Sequence, residues 1–211
     1  MALFFRAVRK QARDRDSGAV RDLDSYIVDR RDDSGVKPCF NLLEYTLGIE
    51  LPDFVLADPV VQTLERTATD FIAWSNVRPA PPPSAAAPHA ECRAVQDVFS
   101  YNKEQARGHT YNLVAILTVS RGLDLQGAVD HIGQMCRRAV DAFCEHRARV
   151  PSWGPAIDGD VARYVRGLED WIAGSLHWTF LSERYFGTQG VDIKETLQVT
   201  LASRRVGVNA A

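Results

Sequence analysis

Apolar residues recur every three or four positions along nearly the whole chain, and the alternation expected of strands is almost absent. A repeat of about 3.6 residues places them on one helix face, so the chain can bury them only by packing helix against helix. Such patterns run from Leu3 to about Arg13, from Asp22 to Arg31, through CFNLLEYTLGI after Lys37-Pro38, and from Val60 to Asn76. Pro38 suits a first helical turn, where its missing N–H costs nothing. Pro52 and Pro59 punctuate the connection before Val60. Three longer helices are expected at about Asp97–Arg121, Leu125–Arg149 and Asp158–Arg184, divided by Gly122 and by the PSWGP run at 151–155. The expected fold is all-α, with one domain spanning residues 1–211.

One stretch breaks the pattern. Residues 77–96, VRPAPPPSAAAPHAECRAVQ, hold five of the ten prolines. Pro81-Pro82-Pro83 cannot continue a helix, because proline lacks the N–H donor and clashes with the preceding turn. The bland reading is an exposed Pro/Ala loop. Yet DFIAWSN before it and DVFSYNKEQ after it both look like parts of one amphipathic helix, and deleting the stretch joins them as WSNDVFSYNKEQ.

Composition narrows the function. Apolar residues make up 45% and charged residues 25%, the balance of an ordinary globular protein, and a net charge of -2 gives no basic field for general nucleic-acid binding. Cys39, Cys92, Cys136 and Cys144 show no CxxC spacing, so neither a zinc site nor a disulfide framework is indicated. Cys136 and Cys144 are expected to be small buried hydrophobes. No apolar run approaches a membrane span, and the apolar stretch at the start is too short for a secretory signal, so the chain reads as soluble and cytoplasmic. Nothing in the sequence fixes an oligomeric state.

The chemistry concentrates in DVFSYNKEQ, Asp97 to Gln105. Ser100 and Glu104 lie one helical turn apart and share a face. A hard divalent cation such as magnesium takes clustered oxygen ligands, and a hydroxyl with a carboxylate supplies two. Lys103 beside them can meet a phosphate as a point charge.

The joined segment WSNDVFSYNKEQ resembles the second metal-binding motif of class I terpene synthases, in particular fungal sesquiterpene cyclases. RRDDSGVKPCFNLLEY (Arg30 to Tyr45) is similar to that family's diphosphate-sensing segment, which usually has Thr where Asp33 stands. WTFLSERYFG (Trp178 to Gly187) is similar to its C-terminal Arg-Tyr pair. Three motifs in the right order over about 155 residues are far more specific than any one of them.

The resemblance implies an antiparallel helical bundle and a magnesium-dependent lyase that ionises farnesyl diphosphate or a related prenyl diphosphate and cyclises the carbocation. It makes Asn76, Ser100 and Glu104 the ligands of one Mg2+. It has Lys103 touching diphosphate, Arg30 sensing it, and Arg184 and Tyr185 hydrogen-bonding it as it leaves. Arg30 stands 46 positions before Asn76 (76 − 30), the separation the family leads one to expect, and Arg31 is the weaker sensor candidate. Without the resemblance, the Arg30-Arg31 pair would read as a solvated helix end. Phe40, Leu43, Phe71, Trp74, Phe99 and Trp178 are candidate cavity walls, but each by itself fits ordinary helix packing better, and none is assigned.

Two departures remain. The family pattern puts Asn one turn before Ser100, where Gln96 stands. Every Val codon begins GT and one Gln codon ends AG, so residues 77–96 correspond to a 60-nucleotide in-frame stretch (20 × 3) with intron-like ends. They are read as a retained intron, with Asn76 the true ligand. The rival reading is a real loop in which Gln96 replaces Asn, its extra methylene shifting the ligand oxygen. The aspartate-rich motif that holds the family's other magnesium ions is also not found. Asp14-Arg15-Asp16 is too short and sits in a basic helix, and only 29 residues precede Arg30. The chain is therefore read as the C-terminal portion of such a domain and as inactive by itself. A non-catalytic helical remnant or interaction protein of the same family is the alternative.

Overall fold

The computed structural model describes residues 2–17, 22–74 and 96–203. Among these the regular structure is helical: α1 (Ala2–Ser17), α2 (Leu23–Asp33), α3 (Val36–Leu47), α4 (Asp53–Leu56), α5 (Pro59–Trp74), α6 (Gln96–Ala106), α7 (Leu113–Arg121), α8 (Leu125–Arg147), α9 (Asp158–Leu181), α10 (Glu183–Phe186) and α11 (Gly190–Thr196), with a 3-10 turn between the last two. Asn76, Cys92 and all but the last residue of the 77–96 insertion lie outside the described residues.

Local chemistry sets several boundaries. The Asp22 carboxylate accepts from the Ser25 N–H at 2.9 Å to open α2, and Asp124 does the same for Gly127 at 2.8 Å to open α8. Each satisfies a donor that has no partner inside its helix. Helix α3 stops at Gly48, whose φ of 61° is reached at little cost only without a Cβ.

Helix α5 is the centre of the bundle and packs against α8, α9, α3 and α2. Val61, Leu64, Ala68, Phe71, Ile72 and Trp74 are buried on it. Each large side chain of this kind contributes about 1.5–3 kcal/mol by leaving water. Phe40, Leu43, Ile132, Phe143, Tyr164 and Leu168 complete the same apolar cluster from α3, α8 and α9. A second, smaller cluster joins Phe99 of α6 to Leu176 and Phe180 of α9 and Tyr185 of α10, with Phe186 and Ile193 against it.

The structure departs from the sequence expectation at three places. The helix expected over Asp97–Arg121 is two helices, α6 and α7, separated by residues 107–112. Gly108 (φ 74°) ends the first and Asn112 caps the second. The helix expected over Asp158–Arg184 stops at Leu181, because Ser182 turns extended (ψ 143°) before α10 begins. Cys136 is buried as expected, whereas Cys144 is exposed on the outer face of α8. Among the described residues no helix is long and apolar enough to cross a membrane.

Candidate functional site

Helix α6 presents Ser100, Lys103 and Glu104, and the turn after it supplies the group that joins two of them. The Asn112 side chain is fully buried, and its Nδ2 donates to Glu104 Oε2 at 2.9 Å and to Ser100 Oγ at 3.4 Å. Its Oδ1 accepts from the Val114 N–H at 2.9 Å and so caps α7. That cap fixes the orientation of the amide, because the oxygen must face Val114 and the NH2 must therefore face α6. Ser100 and Glu104 thus hold two hard oxygen donors one turn apart on a single face, a donor chemistry that fits a magnesium ion. Asn76, the third ligand expected from the sequence, lies outside the described residues. Among the described residues no group of three or more His, Cys, Asp and Glu side chains is placed to hold a metal.

The Arg-Tyr pair meets this face from α10. Lys103 Nζ donates to the Arg184 carbonyl oxygen, bridging the two helices. Tyr185 is buried, with the Phe99 ring 6.2 Å away and the Trp178 ring 6.0 Å away edge-on. The Arg184 guanidinium lies 5.6 Å over the Tyr185 ring, within cation–π range. Burial pushes the Tyr185 hydroxyl up from the ordinary phenol range, Arg184 and then Arg30 oppose the rise, and Glu104 adds to it. A phenol raised in this way stays protonated at neutral pH and remains a donor. Arg30, Glu104 and Arg184 thus all act electrostatically on this one hydroxyl.

On α2 the two arginines part ways. Arg31 forms a two-pronged pair with buried Asp70, Nε to Oδ1 at 2.6 Å and Nη2 to Oδ2 at 2.7 Å, and its guanidinium sits 5.8 Å from the Trp74 ring. This bidentate fork binds Arg31 into the contact between α2 and α5. Arg30 Nη1 donates to Asp33 Oδ1 at 3.1 Å, with their side chains 14% and 3% exposed. The Tyr111 hydroxyl donates to the other Asp33 oxygen at 2.7 Å, and its ring stacks at a tilt 4.9 Å from that of buried Tyr26.

The structure therefore draws Arg30, Ser100, Lys103, Glu104, Arg184 and Tyr185 to one end of the bundle. Sequence reading missed Tyr111 and Asn112, since it ran one helix through both. The available signal was Gly108 followed four residues later by Asn112, a stop and a cap in succession. It also missed the C-terminal segment. Asn102 donates to Thr200 O at 3.1 Å and accepts from the Ala202 N–H at 2.6 Å, while Gln105 donates to Ala202 O at 2.7 Å. That segment lies along the side of α6 and helps bound a cleft of about 430 Å³ beside Tyr185 and Phe186. Of the candidate wall residues, Phe40, Leu43, Phe71 and Trp74 are in the main core, Phe99 is in the second cluster, and Trp178 is 49% exposed.

Residues 1–142 match the family described as terpene synthase family 2, C-terminal metal binding. The sesquiterpene synthase Agr3 of Cyclocybe aegerita is 50% identical over 92% of this chain and 49% of its own length. An alpha-muurolene synthase of Coprinopsis cinerea is 48% identical over 94% of this chain and 42% of its own. The crystal structure of an a-eudesmol synthase superposes with a TM-score of 0.69 at 23% identity, covering 86% of this chain and 53% of that one. The fold is thus shared well beyond recognisable sequence. This chain spans about half the length of the curated relatives it matches, the matched part being their C-terminal portion. It belongs to the terpene synthase family, on the side of the fungal sesquiterpene synthases.

Proposed function

We propose that this end of the bundle is the diphosphate-binding side of a magnesium-dependent sesquiterpene cyclase acting on farnesyl diphosphate or a related prenyl diphosphate. The observation that carries the reading is the meeting of α6 and α10, where Lys103 reaches the Arg184 backbone beside the Ser100–Glu104 pair. Ser100 and Glu104, with Asn76, would hold one magnesium ion, and the ion would supply electrostatic stabilisation of the departing diphosphate. The protein's own donors act on the same oxygens. Arg184 and Lys103 bring exposed positive charge, Arg30 brings a planar fork suited to phosphate, and Tyr185 brings a hydroxyl kept protonated by burial. Aromatic faces around Tyr185 suit a cationic hydrocarbon.

For the 211-residue chain by itself we expect no cyclisation, because the aspartate-rich donor set that the family resemblance implies is not found among its residues. Hydrocarbon detected by gas chromatography after incubation with farnesyl diphosphate and Mg2+ would overturn that. Fusion to an upstream reading frame encoding the aspartate-rich motif, with residues 77–96 removed, is expected to give Mg2+-dependent hydrocarbon. Arg184→Ala should then lower its yield by orders of magnitude. A folded but inert fusion would sink the cyclase reading. Sequencing of mature message across the Asn76–Asp97 junction tests the retained intron separately; message that keeps the 60 nucleotides (20 codons) refutes it.

A further inference from the structure

Two sets of side-chain hydrogen bonds, joined by the backbone between Tyr111 and Asn112, link α2 to α6 through the turn at 107–112. Arg30 donates to Asp33 (3.1 Å), Tyr111 donates to the opposite oxygen of Asp33 (2.7 Å), and the next residue, Asn112, donates to Glu104 (2.9 Å) and Ser100 (3.4 Å). Both bridging residues have a second anchor. Tyr111 packs its ring on buried Tyr26, and Asn112 is fixed by its cap on Val114. The turn is thus clamped at two adjacent positions, one on the Asp33 carboxylate that pairs with Arg30 and one on the Ser100–Glu104 pair.

We propose that Asn112 is a positioning residue for Ser100 and Glu104, and that Tyr111 ties this pair to Arg30 through Asp33. The chemistry of the amide suits the task. An NH2 group can only donate, so it holds the Glu104 carboxylate and the Ser100 hydroxyl in place without setting a competing acceptor oxygen beside them. An aspartate at this position would instead present a second acceptor to Glu104 and repel it. The Tyr111 hydroxyl in turn is raised far above its ordinary range, by burial first and then by the Asp33 charge, and so remains a donor to Asp33. Outer partners of this kind hold a metal ligand in its binding rotamer, and their loss commonly weakens metal affinity about 10–100-fold.

The inference rests on the proposed metal reading of Ser100 and Glu104, and the experiment separates the two. Mn2+ is titrated into the 211-residue chain, and paramagnetic broadening of the backbone amide resonances of residues 99–105 is followed by NMR. The chain as it stands should show broadening centred on α6, and Glu104→Gln should abolish it. Asn112→Ser keeps an oxygen able to cap α7 but cannot reach Glu104, so the midpoint Mn2+ concentration should rise about tenfold or more while the melting temperature changes little. Tyr111→Phe leaves the cap untouched and should raise the midpoint by about threefold or more. It carries the test if the Asn112 variant fails to fold. Broadening that Glu104→Gln abolishes but that neither Asn112→Ser nor Tyr111→Phe alters overturns the positioning role and leaves the metal reading intact. Absence of broadening, or broadening indifferent to Glu104→Gln, overturns the metal reading and the positioning role with it.

Discussion

The two apolar clusters are built on different principles. The main one gathers aliphatic and aromatic side chains from α2, α3, α5, α7, α8 and α9 around α5, and many of them are entirely removed from water. The one beneath the site is small and mostly aromatic, with Phe99 of α6 meeting Phe180, Tyr185 and Phe186 of α9 and α10 edge-on or tilted, and Phe180 and Phe186 stacked. The first is a stability element. The second is a joint: it fastens α10 and α11 to α6 and α9, and it shares Tyr185 with the site. A joint of few contacts can be loosened without unfolding the bundle, which is a property of regions that must adjust around a ligand.

Four experiments test that contrast. Leu168→Ala removes a fully buried side chain from the main cluster. It should cost about 2–5 kcal/mol of global stability, read from the denaturant midpoint. Gly190→Ala acts on the joint, where a Cβ would collide with the Phe180 carbonyl oxygen, backbone that cannot swing aside. A loss of about 1–3 kcal/mol is expected, confined in hydrogen exchange to α10, α11 and the segment after them. Equal loss of protection in α5 and α8 would show that the two clusters are one cooperative unit.

The third experiment uses pH. Burial raises Glu65 above the usual carboxylate range, and the hydrogen bond from Tyr164 (2.6 Å) only partly offsets this. A carboxyl whose folded pKa lies above its unfolded value binds its proton more tightly when folded. Its stabilising contribution is complete below the unfolded pKa, about 4.3, and is lost as pH rises through the folded value. The melting temperature of the main cluster should therefore fall over that window, and Glu65→Gln should flatten the fall. An unchanged slope would assign the dependence elsewhere. The smallest effect is expected at Arg149, whose pair with Glu145 is 63% and 55% exposed. Arg149→Ala should alter stability by less than about 1 kcal/mol, within reach of careful thermal melts and reduced further by added salt.

Most of the bundle was legible in the sequence because helix periodicity and capping are local. The 3.6-residue pattern located α5, α8 and most of α9, and Gly122 and the 151–155 run marked their separations. Where it failed, the competing signals were one residue deep. Gly108 and Asn112 split an apolar pattern that otherwise runs on unbroken, and Ser182 ends α9 without a proline or glycine to announce it. The exposure of Cys144 was legible: Ile132, Cys136, Ala139 and Phe143 mark the buried face of α8 at four- and three-residue steps, and Cys144 stands one position, about 100°, beyond it. Spacing singles out Ser100, Lys103 and Glu104 as site candidates, and resemblance singles out Arg30, Arg184 and Tyr185. Asn112 belongs to none of the three motifs.

By itself, then, the sequence determined the helical class, the family and the shared face of Ser100 and Glu104. These follow from periods and motifs within single segments. Only the tertiary structure decided that Arg31 is bound to Asp70 while Arg30 turns to Asp33, that Lys103 reaches the Arg184 carbonyl, and that Asn112 spans Ser100 and Glu104. Three of these four contacts join separate helices or a helix and a turn; the fourth, Arg30 to Asp33, lies within α2 and gains its significance from Tyr111 on the far side of the carboxylate. Such pairings depend on how the helices are rotated and seated on one another, which is set by the sum of the core packing and is written in no single stretch of chain.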